Sequence, residues 1–226
     1  MVEIKIARVP GLADWWAEPK PSNECFPPWI KDLRKEKLLD NKLNMSDCLP
    51  AIEAMLQGII IEFPTTMTFE YLGDHPNLGK MIACDHEGYP IIGGHDFSQY
   101  KGAEFQGFHV IKLGLPWVIE VPNGYSCLFT SPFNRSGNNE PFCISGFVRC
   151  DRYYNMVSIP FALPLKKKGD VVSVERGRPF VQIIPVKREN VELTYSQIDM
   201  ENLELTVKQI NENPEYYKSM AKEQKK

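Results

Sequence analysis

No CxxC pair occurs among the six cysteines, Cys25, Cys48, Cys84, Cys127, Cys143 and Cys150, which excludes a zinc ribbon and a thioredoxin-type redox centre. Cys127, Cys143 and Cys150 sit inside apolar runs, where a thiol behaves as a small hydrophobe. Reduced thiols and an intracellular setting are therefore expected. No stretch approaches the ~20 consecutive apolar residues of a membrane helix. The opening residues, MVEIKIARVP, lack a basic region followed by an apolar one, so no secretory signal peptide is expected. The net charge is −3, which gives no bias toward nucleic acid or an anionic bilayer. No GxxxxGK[ST] phosphate loop is present. Ser126 and Ser131 have no His and Asp in triad context, and Cys127 has neither a helix N-terminus nor a histidine to activate it. Glycine is missing altogether after Gly177.

Proline, by contrast, is plentiful. Eighteen prolines spread along the chain exclude a mainly helical protein, because proline breaks helix interiors. Hydrophobic residues make up 43%, enough for a true core in one domain of the larger all-β kind, with additions at the termini. Val2 to Val9 alternates as a strand does. Pro10 to Pro28 is an extended arm rich in rings. PWIKDLRKEKLL (28–39) is a short amphipathic helix, and Ser46 is placed to cap a second helix running to about Gln57, with Gly58 as its stop. IIIEF (59–63) and MTFEYL (67–72), separated by PTT, form an expected hairpin. KMIACD (80–85) follows, then a long polar loop over 91–107. Expected strands after it are FHVIKL (108–113), WVIEV (117–121), YSCLFT (125–130), FCISGFVRC (142–150), MVSIPFAL (156–163), VVSV (171–174) and FVQIIPV (180–186). Short strands at this spacing, with turn residues between them, indicate a sandwich or barrel. From Gln197 onward the chain is a polar helical tail interrupted near Pro214.

Few residues have a chemistry-bearing pattern. His75, His86, His95 and His109 could ligate a metal, yet no His-x-His or His-x-Asp spacing supports it, so no metal site is expected. Asn134, Arg135, Arg149, Arg152 and Arg178 could form an anion pocket, since guanidinium forks suit phosphate. The competing reading pairs these cations with Glu140, Asp151 and Glu175 and is preferred. Lys166 to Lys168 reads as a solvated turn. Trp15, Trp16, Phe26 and Trp29 are candidate anchors in a groove, on this domain or on a neighbouring subunit.

The order GYSCLFTSP, GFVRCDRYYNMVSIPF, ERGRPFVQIIPVKRE resembles the trimeric dUTPase and dCTP deaminase superfamily. It also resembles a group of tailed-phage proteins with GYSCLF…NR and QVIPFKRE-like phrases. The first resemblance covers about a third of the chain. It implies that the water-orienting catalytic aspartate falls on Arg149, which cannot accept a proton. The second aspartate of that motif falls on Asp151, and the discriminating tyrosine on Arg152 or Tyr153. The phosphate-binding turn falls on Ser131, Pro132, Phe133, Asn134, Arg135 and Ser136, in altered order. Gly177, Arg178 and Gln182 match the fourth motif, and the glycine-rich fifth motif is absent. The deaminase branch would need a different glutamate base; Glu140 and Glu175 are available, and neither stands in a recognisable context.

The expectation is thus a mainly β, dUTPase-like sandwich or partly closed, jelly-roll-like barrel. An arm and short helix would occupy 1–45, the β domain 46–190 and a helical tail 191–226. The expected role is a non-catalytic phage protein of the virion, or associated with it, that acts by assembly or binding. Its expected partners are copies of itself, as a trimer, and other virion proteins, in the virion or host cytoplasm. The alternative is nucleotide sequestration or divergent pyrophosphohydrolysis. That alternative would use Asn134, Arg135, Ser136, Asp151, Arg152, Tyr153, Arg178 and Gln182, and it alone would call for Mg²⁺. No other cofactor is expected.

Overall fold

The computed structural model describes residues 2–40, 44–75, 79–86, 92–105, 107–135, 140–213 and 215–223. Along the chain come β1 (Lys5–Arg8), β2 (Lys20–Pro21), α1 (Pro28–Asp40), a 3-10 turn (Met45–Asp47) and α2 (Leu49–Leu56). Then follow β3 (Ile59–Glu62), β4 (Met67–His75), β5 (Gly79–His86), β6 (Ile92–Gly94), a 3-10 turn (Phe97–Gln99), β7 (His109–Glu120) and β8 (Tyr125–Thr130). β9 (Phe142–Cys143), β10 (Gly146–Val148), β11 (Met156–Leu163), β12 (Val171–Val174), β13 (Pro179–Lys187), α3 (Met200–Glu212) and α4 (Tyr216–Glu223) complete it. Strand exceeds helix, 36% against 21%, so the chain is mainly β.

Among the described residues three antiparallel sheets form, and none closes on itself. One sheet runs β1-β7-β11-β9 with β6 added on β7, the second β10-β8-β13-β3-β2, the third β12-β4-β5. β7 is its sheet's centre and is almost continuously buried, as a strand covered on both faces must be. The first two sheets meet through Phe63, Phe161 and Phe180, whose ring centroids lie 4.7 to 5.4 Å apart. Offset and edge-on pairs at such distances are the favourable arrangements for aromatic quadrupoles.

Several expectations need correction. β3 and β4 are not a hairpin: β3 pairs with β13 and β4 with β12. The β3–β4 and β12–β13 connections turn from one sheet to the next together, held by Phe63 N–H to Arg178 O at 2.8 Å and Gly177 N–H to Phe63 O at 2.8 Å. The expected break at Gly114–Pro116 does not occur, and β7 runs unbroken from His109 to Glu120. FCISGFVRC divides the other way: β9 joins β11 and β10 joins β8, in different sheets. The 91–107 stretch contains β6 and a 3-10 turn, because β7 leaves backbone groups for β6 to pair. Asn44, not Ser46, makes the capping box, with Asp47, and it caps the 3-10 turn ahead of α2. Gly58 does end the helical region, at φ +66.

The chain divides into two compact units: residues 1–28 with 54–188, and 29–53 with 189–226. In the first, β1 and β2 extend the two larger sheets, so the arm's beginning belongs to the β framework. Trp16, expected among the subunit contacts, is 2% exposed in this unit's own core. Its ring lies 4.9 Å from that of Trp117, and its Nε1–H donates to Glu62 O at 2.8 Å. Arg8 locks this turn by donating to Ala13 O and Trp16 O while its guanidinium sits 5.1 Å above Trp117. In the second unit, Asn44 Nδ2 donates to Leu33 O at 2.9 Å and Lys218 pairs with Asp47 at 3.3 Å. α3 buries no residue. Pro214, the expected interruption of the tail, lies outside the described residues. No helix among the described residues is long and apolar enough to cross a membrane.

Candidate functional site

β8 enters its sheet through Gly124, whose φ of +90 favours glycine, and runs antiparallel to β13 with Tyr125 opposite Lys187. This register brings Arg188, the next residue, to the loop that follows β10. There its Nη1 and Nη2 grip both oxygens of Asp151, at 2.9 and 2.5 Å. The guanidinium also donates to the Tyr125 carbonyl and, at 3.2 Å, to Ser126 Oγ. Gly124 N–H gives Asp151 Oδ2 a further bond of 3.0 Å. The Asp151 side chain has no exposed surface. Its carboxyl is held down to about 2, first by the Arg188 hydrogen bonds, then by the Gly124 N–H and the nearby charges. A carboxylate so saturated is a structural clamp. Three hydrogen bonds and the lack of exposed surface leave it poorly placed to orient a water molecule.

The clamp fixes the turn after it. Arg149 O accepts the N–H groups of Arg152 and Tyr153, both at 2.9 Å, and Asn155 N–H reaches Tyr153 O at 3.0 Å. The turn therefore presents Phe147, Tyr153 and Tyr154, which are 65%, 47% and 71% exposed, beside the exposed Arg149 and Arg152. Arg152 lies 4.0 Å from Asp151, a distant second to Arg188.

The remaining residues of the expected anion site go elsewhere. Gln182 is fully buried and spans three backbone groups. Its Nε2 donates to Ala54 O at 2.9 Å and Gln57 O at 2.7 Å, and its Oε1 accepts from Phe133 N–H at 3.0 Å. Asn134 follows, exposed, at φ +57. Arg135 donates to Cys25 O, and burial lowers its pKa. Arg178 pairs with Glu140 at 2.5 Å, the ion-pair reading of that cation. Ser136 lies outside the described residues. The anion-site residues thus form three groupings: Asp151 with Arg152, Gln182 with the 133–135 turn, and Arg178 with Glu140. The phosphate-turn hydroxyl of Ser131 is occupied as well, accepting from Cys143 N–H at 2.8 Å.

Arg188 carries no signal in the sequence beyond its place at the end of an apolar run. Only the β8–β13 register sets it beside Asp151. The Lys166–Lys168 run is a tight turn, with Asp170 accepting from the N–H groups of Lys166 and Lys167 at 2.8 and 2.9 Å. All six cysteines are free thiols. Among the described residues no group of three or more His, Cys, Asp and Glu side chains gathers to hold a metal. The side chains of His75 and His86 lie outside that description.

No family model matches the chain, and no curated protein matches it. Among solved structures it is similar to the Staphylococcus bacteriophage 80alpha dUTPase, at 13% identity over 87% of this chain and 97% of that one, with a TM-score of 0.39. It is likewise similar to a mutant dUTPase from phage phi11 of S. aureus, at 12% identity, with the same coverage and TM-score. The dUTPase-like resemblance is distant and transfers no residue role to this chain.

Proposed function

We propose that the chain works by binding and assembly and not by nucleotide hydrolysis, as a homo-oligomeric phage protein of the virion. One observation carries this reading: Asp151, the only carboxylate in the GFVRCDRYY motif, is spent in a buried clamp with Arg188 and Gly124. Arg149 occupies the place where the resemblance puts a catalytic aspartate, and a guanidinium cannot serve as a base. What the clamp holds in place is a rigid, exposed cluster of Phe147, Arg149, Arg152, Tyr153 and Tyr154. Aromatic residues and arginine are the types that dominate binding hot spots, and a pre-ordered turn loses little entropy on docking. Trp15, 45% exposed, adds a second anchor of the same kind.

The test is made on the purified full chain. With a panel of deoxynucleoside triphosphates and Mg²⁺, no pyrophosphate is released and calorimetry gives no saturable heat. Light scattering finds a mass several times that of the monomer, a trimer on the family resemblance, and Phe147→Ala with Tyr154→Ala lowers it. Mass spectrometry of purified phage particles finds the chain at fixed copy number. Turnover of any nucleotide, lost in Asp151→Asn, overturns the reading.

A further inference from the structure

β6 carries two consecutive glycines, Gly93 and Gly94, and pairs with β7 at Lys112 and Ile111. A strand without side chains leaves room that a fully packed sheet would fill. The β4–β5 register sets Phe69 opposite Cys84 and Tyr71 opposite Ile82, with the Tyr71 ring tilted against the His109 ring of β7 at a centroid distance of 4.2 Å. A cavity of about 340 Å³ lies among these strands, with Phe69, Ile82, Cys84, Ile92, His95 and His109 in its lining. That volume falls in the range of small-molecule sites. The lining is mostly apolar and, among the described residues, includes no Asp, Glu, Lys or Arg. Phosphate and other strongly charged groups find no counter-charge there.

His95 supplies a directional feature. Its backbone N–H donates to Val110 O at 3.1 Å, which ties it to β7. Its Nδ1 lies 2.5 Å from Gln99 Oε1. A side-chain amide oxygen only accepts, so the ring proton sits on Nδ1 and Nε2 carries a bare lone pair. Nε2 is buried and accepts no hydrogen bond from any described residue. Native interiors keep few such orphans, and one that lines a cavity calls for a donor from outside the chain.

We propose that this cavity binds a small, largely apolar, uncharged molecule bearing one O–H or N–H group, which donates to His95 Nε2. The site is separate from the Asp151 turn and does not depend on the assembly role.

The probes are 2-naphthol, which has the donor, and naphthalene, which has the same ring system without it. Binding to the full chain is followed by probe fluorescence and calorimetry. One 2-naphthol binds per chain, roughly fivefold to tenfold more tightly than naphthalene, the gain expected of a single neutral hydrogen bond in a dry site. His95→Phe keeps a ring in place and removes the acceptor, so the two affinities converge. Gln99 is exposed, so Gln99→Leu leaves the fold intact while releasing the proton from Nδ1, and the preference shrinks there too. Ile82→Trp fills the cavity and abolishes both bindings, with near-UV circular dichroism confirming the fold. Failure of both probes to saturate, a preference that survives in His95→Phe, or unchanged binding in Ile82→Trp overturns the assignment.

Discussion

Gln182→Met separates a structural residue from a ligand contact. Methionine conserves length and bulk but provides none of the three hydrogen bonds. The Ala54 carbonyl retains Gln57 N–H at 3.4 Å and the Gln57 carbonyl retains Ser22 Oγ at 2.6 Å. For these two acceptors the loss is the net value of a hydrogen bond, about 0.5–1.5 kcal/mol each. Phe133 N–H has no other acceptor among the described residues, and leaving a donor unsatisfied beside a fully buried side chain costs about 1–3 kcal/mol. The sum is about 2–6 kcal/mol, a large share of the ~5–15 kcal/mol that holds a typical domain. For a chain of this size it lowers Tm by roughly 4–24 °C. Urea unfolding followed by circular dichroism measures it, and a reduced midpoint with unchanged m is the expected form. If Gln182 instead served a ligand, the free protein would lose almost nothing. A Tm within about 2 °C of the parent refutes the bracing role.

Other perturbations probe different parts of the molecule. A carboxyl held at about 2 against an ordinary 3.8 contributes stability that is whole above the upper value and fades as pH falls toward the lower one. Urea midpoints of the parent should therefore drop between about pH 4 and pH 2, while those of Asp151→Asn start lower and change less; parallel curves contradict the clamp. Trp16→Ala empties a core site and costs about 3–5 kcal/mol, whereas Trp15→Ala, at 45% exposure, stays within about 0.5 kcal/mol. Equal losses in chemical denaturation would show the two rings misassigned. Gly58→Ala places a Cβ 1.9 Å from Ile183 O at φ +66 and abolishes soluble expression. Gly124→Ala, at φ +90 with open space around it, loses only about 1–2 kcal/mol by thermal melting.

Much of the strand pattern is legible in the chain itself, because alternation and turn residues are local. YSCLFT, MVSIPFAL, VVSV and FVQIIPV are strands within a residue of where the pattern puts them. The failures occur where pairing overrides local punctuation. Gly114 and Pro116 read as a break, yet β7 runs through them with neighbours on β1, β6 and β11. Thr65 and Thr66 read as a hairpin turn, yet β3 and β4 separate to follow β13 and β12. The candidate site behaves likewise. Asp151 and Gln182 stand out as possible ligand contacts, and both hold backbone and side chains of distant segments together.

Composition and local spacing are enough to fix the class: a mainly β chain punctuated by proline and glycine, with a motif that carries Arg149 where its resemblance expects an aspartate. Each of these depends on residues a few positions apart. Which strands meet, and therefore what the motif residues do, emerges only in the folded chain. Asp151 meets Arg188 across 37 positions and Gln182 meets Ala54 across 128. Such partners are selected by the burial of whole sheet faces in one register, and a period-two pattern is the same for every strand that carries it.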